Sequence, residues 1–460
     1  MKTKLYLLII CLIHAMSGIY AHDFQALNND NVPIFYNFSE DGTSVTVTYC
    51  HYYFPSSVSY SGNVVIPESV VYNSRSFPVT AIGEGAFYGC AGLTGVTIPQ
   101  SVTVIENESF TLCEELKEVI IPNQVTAIGD NAFANCIKLN GISIPNSVIS
   151  IGEYAFGGCL QMTTVTIGES VTVIGDNAFE KCIGLTSIII PENVITIGMG
   201  AFWFCQNLAE FIVSGQNRNY STIDGVLFNK DQRILIAYPN AKSSVYTIPE
   251  GVSTIGTLAF SGCDLTDVTI ASSVTTIEEL AFHYTRLRNV MIPDRVTTIG
   301  NSVFLSCHEL KKVTIPRSDI SLGDGVFYDC NALEEIHNLS PVPQSIGEFT
   351  FSFGNTEDCK LVVPKGSLND YQTAEFWKKF QHIIEADYAS VTPVNKENIS
   401  TFPIQGGISV AGNGLVQMAV FNMTGREVYQ SAFKGCKEIP LEQGLYVVRV
   451  NGENRKIGVK

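Results

Sequence analysis

The sequence predicts a β-rich solenoid of short stacked coils, followed by a small, separate β module. Three observations carry the prediction. A phrase of about 23 residues recurs along most of the chain: Ile82–Pro99 reads IGEGAFYGCAGLTGVTIP, and Ile128–Pro145 and Ile174–Pro191 echo it. An alanine–aromatic step marks successive copies, at Ala86–Phe87, Ala132–Phe133, Ala155–Phe156, Ala178–Phe179, Ala201–Phe202, Ala259–Phe260 and Ala281–Phe282. Nine of the thirteen cysteines fall at one position of the phrase: Cys90, Cys113, Cys136, Cys159, Cys182, Cys205, Cys263, Cys307 and Cys330. A fixed period of this length means units that bury an apolar face only by stacking on their neighbours.

The first 21 residues read as an export signal, with Lys2 and Lys4 ahead of the apolar run Leu5–Ile13 and a cleavage position after Ala21. That run is too short to span a bilayer. Cys11 follows Ile10, where a lipid-bearing cysteine would follow a small residue. Residues 22–60 form a β-rich N-terminal cap, with strands expected at Val45–Tyr49 and, just beyond, Val64–Ile66. A cap is needed because the end coil of a solenoid otherwise exposes its core and an open sheet edge.

The solenoid runs over 61–385. In each coil, Leu-x-x-Val-x-Ile, as at Leu93, Val96 and Ile98, ends in the two-residue period of a strand, and Pro99 stops it. Val102 and Ile105 point inward from a second extended piece. A glycine then follows, as at Gly129, Gly152 and Gly175, where permissive dihedrals would serve a turn. Asp176-Asn177-Ala178-Phe179 is expected to form a helical or 3-10 turn capped by Asp176. The repeated cysteine fits a small buried hydrophobe, since Thr285 replaces it in one coil; disulfides are open to an exported chain. Cys50, Cys359 and Cys436 lie outside this ladder.

The spacing breaks once, between Phe202 and Phe260. Near 212–247, Gly225–Phe228 and Ile234–Tyr238 flank a polar loop and read as a hairpin insertion. It is either a ligand-binding projection or, the favoured reading, a variant coil that preserves the stack. A cap helix over 367–385 closes the run: Ser367 offers a cap, and Tyr371, Ala374, Trp377, Phe380 and Ile384 keep helical spacing. Residues 386–395 read as a linker. Residues 396–460 read as a sandwich-like β module, with strands at Ile408–Val410, Val416–Phe421, Glu427–Tyr429 and Leu445–Val450 and a turn at Met423-Thr424-Gly425-Arg426.

The formal charge of the chain is −16, unevenly spread. Residues 22–395 hold 18 Lys/Arg against 39 Asp/Glu, whereas 396–460 hold eight against five. So acidic a body disfavours nucleic acid and anionic membrane as partners. The histidines His14, His22, His51, His283, His308, His337 and His382 are scattered, and none has the spacing of a zinc site. No phosphate-cradling loop, calcium loop or nucleophile–base set stands out, and no cofactor is expected. A hydrolase within the 212–247 insertion would need paired acids or a nucleophile with its base, and the segment supplies neither.

What remains is a surface. One outward strand column comprises Thr97, Ile120, Ser143, Thr166, Ile189, Ile212, Thr269, Met291, Thr314 and His337. Beside it runs a second, including Glu118, Thr164, Ser187, Glu210, Asp267, Asn289 and Lys312. Flat, β-branched faces of this kind suit a broad contact, and they are also simply good sheet formers. Glu118, Thr164, Thr166, Ser187, Glu210, Asp267, Asn289 and Lys312 are taken as the candidate ligand-binding face.

The string Ile-Gly-x-x-Ala-Phe-x-x-Cys-x-x-Leu-x-x-Val-x-Ile-Pro, as in Ile128–Pro145, resembles the BspA-like leucine-rich repeats of bacterial surface proteins. The leader Gly62–Pro67 and the closing Val363–Ser367 with Trp377 fit the same family. The resemblance implies a leucine-rich-repeat solenoid with parallel strands on one face, in a secreted or surface-displayed protein. It also implies protein–protein binding, with adhesion to host matrix or to other bacteria as a family tendency. The last segment is similar to the carboxy-terminal sorting domain of type IX secretion, on Val420–Arg426, Gly444–Val450 and Arg455–Lys460. That resemblance implies a sorting signal at Gly444, Tyr446, Arg449, Lys456 and Lys460, with the secretion machinery as partner. The expected function is therefore a non-enzymatic binding protein at the cell surface or secreted. The alternative is glycan binding for nutrient capture, which aromatic side chains grouped on one face would favour.

Overall fold

The computed structural model describes residues 22–49, 60–317, 319–388, 399–404, 407–422, 426–450 and 453–459. The stretch expected to be an export signal up to Ala21, Cys50, residues 389–395 of the expected linker, residues 423–425 of the module turn and Lys460 lie outside the described residues. The fold is the leucine-rich-repeat β-solenoid that the repeats predict, with very little helix. The chain divides into two compact units, Met1–Gly225 and Val226–Lys460. The division falls where the 23-residue spacing breaks.

In the first unit, strands Phe24–Leu27, Pro33–Phe38 and Val45–Thr48 form an antiparallel meander. Its last strand runs parallel to Arg75–Ile82, which opens the coil series. Two short strands per coil follow. One series is Val104–Ile105, Ala127–Ile128, Ser150–Ile151, Val173–Ile174 and Thr196–Ile197, each parallel to the one before, as in Ile128↔Ile151↔Ile174. The other comprises Gly62–Val65, Leu93–Thr97 and Glu118–Ile120, then the pairs Gly141–Ser143 with Thr164–Thr166 and Ser187–Ile190 with Glu210–Val213.

Between the two series the core is a set of ladders. Phe87, Phe110, Phe133, Phe156, Phe179 and Phe202 stack with ring centroids 5.0–5.7 Å apart and planes within 7°. That separation lies within the range in which aromatic pairs attract one another. Phe110 extends the ladder through a coil where Ser109 replaces the alanine, and the Ser109 hydroxyl donates to the Glu106 carbonyl. The cysteines do more than fill space. Each Sγ reaches the carbonyl of a phenylalanine one coil back: Cys113 to Phe87, Cys136 to Phe110, Cys159 to Phe133, Cys182 to Phe156 and Cys205 to Phe179, at 3.1–3.3 Å. Burial pushes the Cys159 and Cys205 thiols up to about 12.

Two expectations about the turns need correction. The stretch Asp176–Phe179 is no helix but a string of i→i+3 turns, with Ala178, Glu180 and Cys182 donating to Gly175, Asn177 and Phe179. Asn177 breaks any helical run with a left-handed φ of 53°. Asp176 caps across coils instead: its Oδ1 accepts the Met199 N–H at 2.7 Å. Asp130 does the same for Glu153, and Asn107 for Asp130. The glycines Gly129, Gly152 and Gly175 are not there for a left-handed turn either. A Cβ at Gly175 would lie 2.6 Å from the Gly152 carbonyl carbon and 2.7 Å from the Glu153 nitrogen. Close approach of the neighbouring coil's backbone requires glycine here.

In the second unit, Val226–Asn229 and Ile234–Ala237 form the expected hairpin. Ile234–Ala237 then pairs in parallel with Thr254–Ile255, so the hairpin's second strand serves as a coil strand. Thr276–Ile277, Thr298–Ile299 and Ser321–Leu322 continue that series. The partner series runs Val245–Thr247, Asp267–Thr269, Asn289–Met291, Lys312–Ile315, Glu335–Asn338, Lys360–Pro364 and His382–Ala386. Phe260, Phe282, Phe304, Phe327 and Phe351 stack along it at 4.9–5.4 Å.

The cap over 367–385 is not one helix. Helix is confined to Leu368–Thr373, followed by a 3-10 turn at Trp377–Lys379 and the strand His382–Ala386. The Ser367 hydroxyl donates back to the Pro364 carbonyl instead of capping the helix. Ala374 is extended and Phe376 takes a φ of 63°, which ends the helix. Packing onto the last coils decides the rest. The Tyr371 hydroxyl donates to Ser340 O at 2.9 Å, the Trp377 indole N–H donates to Gln344 O at 2.7 Å, and Phe380 meets Phe351 edge-on. The linker also begins later than expected, since Ala386 ends a paired strand and Tyr388 is buried.

The terminal module is a five-stranded antiparallel sheet whose strands are longer than the sequence suggests. Ile408–Val410 and Val416–Phe421 are parts of one long strand, Gly407–Asn422, which bulges after Gly412. Glu427–Tyr429 is the start of Glu427–Pro440, its partner. Ile399–Ile404, Gly444–Val450 and Glu453–Val459 complete the sheet. Its apolar core includes Ile408, Val410, Met418, Val420, Ile439, Tyr446 and Val448.

Candidate functional site

Parallel pairing one coil apart turns each strand position into a column, and the observed register matches the columns read from the sequence. In the first unit Thr97 faces Ile120, Ser143 faces Thr166 and Ile189 faces Ile212. Beside them Gly141 faces Thr164 and Ser187 faces Glu210, while Glu118 faces Gly95. In the second unit Asp267, Asn289, Lys312 and Glu335 align, as do Met291, Thr314 and His337.

Glu118, Thr164, Thr166, Ser187, Glu210, Asp267 and Asn289 are exposed, and Lys312 is half-buried. The isoleucines of the adjoining column are unusually open: Ile120 is 80% exposed, Ile189 57% and Ile212 42%. Large apolar side chains held out by a sheet, between carboxylates and hydroxyls, make a surface suited to a protein contact. A second exposed apolar column escaped the sequence reading. Ile149 and Ile195 stand out at the residue preceding the other strand series, alternating with Thr126 and Thr172. Only their repeat position, one short of the strand, could have signalled it.

His337 departs from its assigned place on the outward face. It is buried, because Tyr388 folds over the end of the column and its hydroxyl lies 2.9 Å from His337 Nδ1. Nε2 of His337 sits 3.2 Å from a Glu335 carboxylate oxygen. Lys312 Nζ lies 3.0 Å from the other Glu335 oxygen. His337, and after it Lys312, hold the Glu335 carboxyl down at about 2, against burial that pushes the other way. Burial keeps the Tyr388 hydroxyl protonated well above its ordinary range. The Arg317 guanidinium completes the clasp by donating to the Tyr388 carbonyl.

In the module, Gly444 pairs with Val459, and Tyr446 with Ile457 and Asn422. The Tyr446 hydroxyl donates to Glu442 O at 3.0 Å, and the Arg449 guanidinium lies 5.0 Å from the Phe421 ring centroid. Lys456 pairs with Val447 through its backbone. Among the described residues, no three His, Cys, Asp or Glu side chains come together as a metal site, and no helix is long and apolar enough to cross a membrane.

A family model described as the BspA type leucine rich repeat region, in six copies, matches residues 54–144, 80–209, 126–235 and 235–357. The chain belongs to the BspA-type leucine-rich-repeat family. No curated protein matches it. Among solved structures, a leucine rich cell surface protein from Faecalibacterium prausnitzii A2-165 is 27% identical, with a TM-score of 0.56 over 79% of this chain and 95% of the other. The pneumococcal vaccine antigen PcpA is 22% identical, with a TM-score of 0.64 over 80% of this chain and 99% of the other. The likeness to PcpA is one of fold.

Proposed function

We propose that this BspA-type protein is exported, displayed at the cell surface or released, and binds a protein through its outward strand columns. The leading partner class is a host matrix protein or the surface of another bacterium. The observation that carries this reading is the row of open isoleucines, Ile120, Ile189 and Ile212, set among Glu118, Thr164, Thr166, Ser187 and Glu210. Asp267, Asn289 and Lys312 extend the same chemistry in the second unit. The acidic body supports a partner other than nucleic acid. The cell surface protein among its relatives supports display outside the cell.

The basic terminal module supplies the address. Gly444, Tyr446, Arg449, Lys456 and Lys460 act as a type IX sorting signal, and the secretion machinery is the partner that reads it. Deleting residues 396–460 should hold the protein in the periplasm, and unchanged surface display would overturn the sorting role. For binding, purified residues 22–460 are tested against immobilised fibronectin, other matrix proteins and whole bacterial cells. Saturable binding to at least one is expected. A blank across the panel would remove the adhesion reading.

A further inference from the structure

The turns of the first unit carry a cluster that its strand faces lack. Two turn columns run through Tyr88-Gly89, Thr111-Leu112, Ala134-Asn135 and Gly157-Gly158, then change character at Glu180-Lys181 and Trp203-Phe204. Trp203 and Phe204 pack with centroids 4.9 Å apart at 51° and remain partly open to solvent. The Lys181 ammonium lies 5.9 Å from the Trp203 ring centroid and 2.7 Å from a Glu180 carboxylate oxygen. On the other side of Glu180, two coils from Trp203, the partly open Tyr154 ring occupies the space over Gly157. A Cβ added there would meet ring atoms at 2.5–2.6 Å. Tyr154 and Trp203 thus flank Glu180 across two coil spacings, about 10 Å.

Glu180 is the informative residue. Its side chain is 8% exposed, at a position where the preceding coils place Thr111, Ala134 and Gly157. Setting a carboxylate among aromatic rings is unfavourable, and a single ammonium partner offsets only part of the desolvation. Coil packing does not call for a carboxylate, because uncharged residues serve the same position in the other coils of this column, from Tyr88 to Trp203. A carboxylate and an ammonium between two aromatic surfaces is the chemistry that holds a sugar. Rings lie against the C–H face of a pyranose, while the charged groups take its hydroxyls. The acid at the centre disfavours an anionic ligand, and the charges disfavour a lipid tail.

We infer that Tyr154, Glu180, Lys181, Trp203 and Phe204 form a saccharide-binding site for an uncharged oligosaccharide, separate from the outward strand columns. Trp203 and Phe204 provide the stacking platform, Tyr154 the second wall, and Glu180 with Lys181 the hydroxyl contacts.

The test uses the chain's own fluorophores. Trp203 and Trp377 are its only tryptophans, and Trp377 is fully buried, so a ligand at this site reports through Trp203. Residues 22–460 are titrated with cellohexaose, N-acetylchitohexaose and mannohexaose while tryptophan emission is followed. A saturable change with at least one sugar is expected. Trp203→Phe should erase the emission change while retaining binding by calorimetry. Glu180→Gln should weaken binding about tenfold, the loss expected for a hydrogen bond to a charged group. Unfolding profiles of both variants that match the parent exclude misfolding. No saturable response to any of the three sugars, or affinity undiminished in Glu180→Gln, overturns the site. Either result leaves protein binding by the strand columns untouched.

Discussion

Replacing Gly175 by alanine tests whether neighbouring coils meet as closely as the structure has them. The new Cβ would sit 2.6–2.7 Å from backbone atoms of Gly152 and Glu153. An ordinary contact there needs about 3.5 Å, so the coils must part locally by about 0.8 Å. The hydrogen bonds from Gly175 to Ile151 O at 2.9 Å and from Thr172 to Ile149 O at 2.8 Å cross the same seam. Overpacking contributes about 1–3 kcal/mol. Weakening one or two backbone bonds adds about 1 kcal/mol each. Alanine's smaller unfolded-state entropy returns about 0.4–1 kcal/mol. The net expectation is a loss of about 1–4.5 kcal/mol, read as a lower urea midpoint by circular dichroism. Hydrogen exchange should place the loosening in the coils around residues 151–198, as nearest-neighbour coupling requires. Gly215→Ala is the control, since nothing lies within 4 Å of its added Cβ. If the two alanine variants unfold within about 0.5 kcal/mol of each other, close stacking of these coils is wrong.

Two other outcomes follow from the same packing. Cys159 and Cys205, buried with thiols raised to about 12, should resist labelling by a thiol reagent at pH 8 and react after denaturation, as peptide mass spectrometry would show. Labelling in the folded protein at the rate of a free thiol would refute the ladder. Glu335 has a folded value of about 2, below its unfolded value of about 4.3, so its contribution is present above about pH 4.3 and lost as pH falls towards 2. Glu335→Gln should destabilise the protein at pH 7 by at most about 3 kcal/mol, with the difference vanishing near pH 2. A deficit independent of pH would mean that the contacts with His337 and Lys312 are not its source.

The repeat made much of this fold legible because one coil's pattern constrains every other. The inward places of Phe133, Cys136, Leu139, Ile142 and Ile144 follow from the phrase alone, and all five are buried. The outward columns followed too, since a 23-residue shift carries each strand residue onto its neighbour. The sequence misled where two local preferences compete. Tyr371, Trp377 and Phe380 keep helical spacing, yet a left-handed Phe376 divides them and the chain returns to strand, because the last sheet edge offers a partner. His337 looked outward by register, but contact with Tyr388, 51 residues on, buries it. Glycine at Gly152 and Gly175 was visible, while its cause, a neighbour's backbone, was not. The Tyr154, Glu180 and Trp203 cluster spans three coils and joins positions that differ from copy to copy, so no repeated pattern announces it.

The outward strand columns are proposed as the binding surface. The most direct measurement compares Ile120→Glu with Ile189→Glu combined, against Val71→Glu, which is 66% exposed on the hairpin formed by Ser69–Tyr72 and Arg75–Ile82. Each is titrated against whichever matrix protein or cell surface the parent protein binds. The column variant should lose at least about tenfold in affinity, with unchanged unfolding, while Val71→Glu matches the parent. Equal binding by the column variant and the parent would contradict the claim.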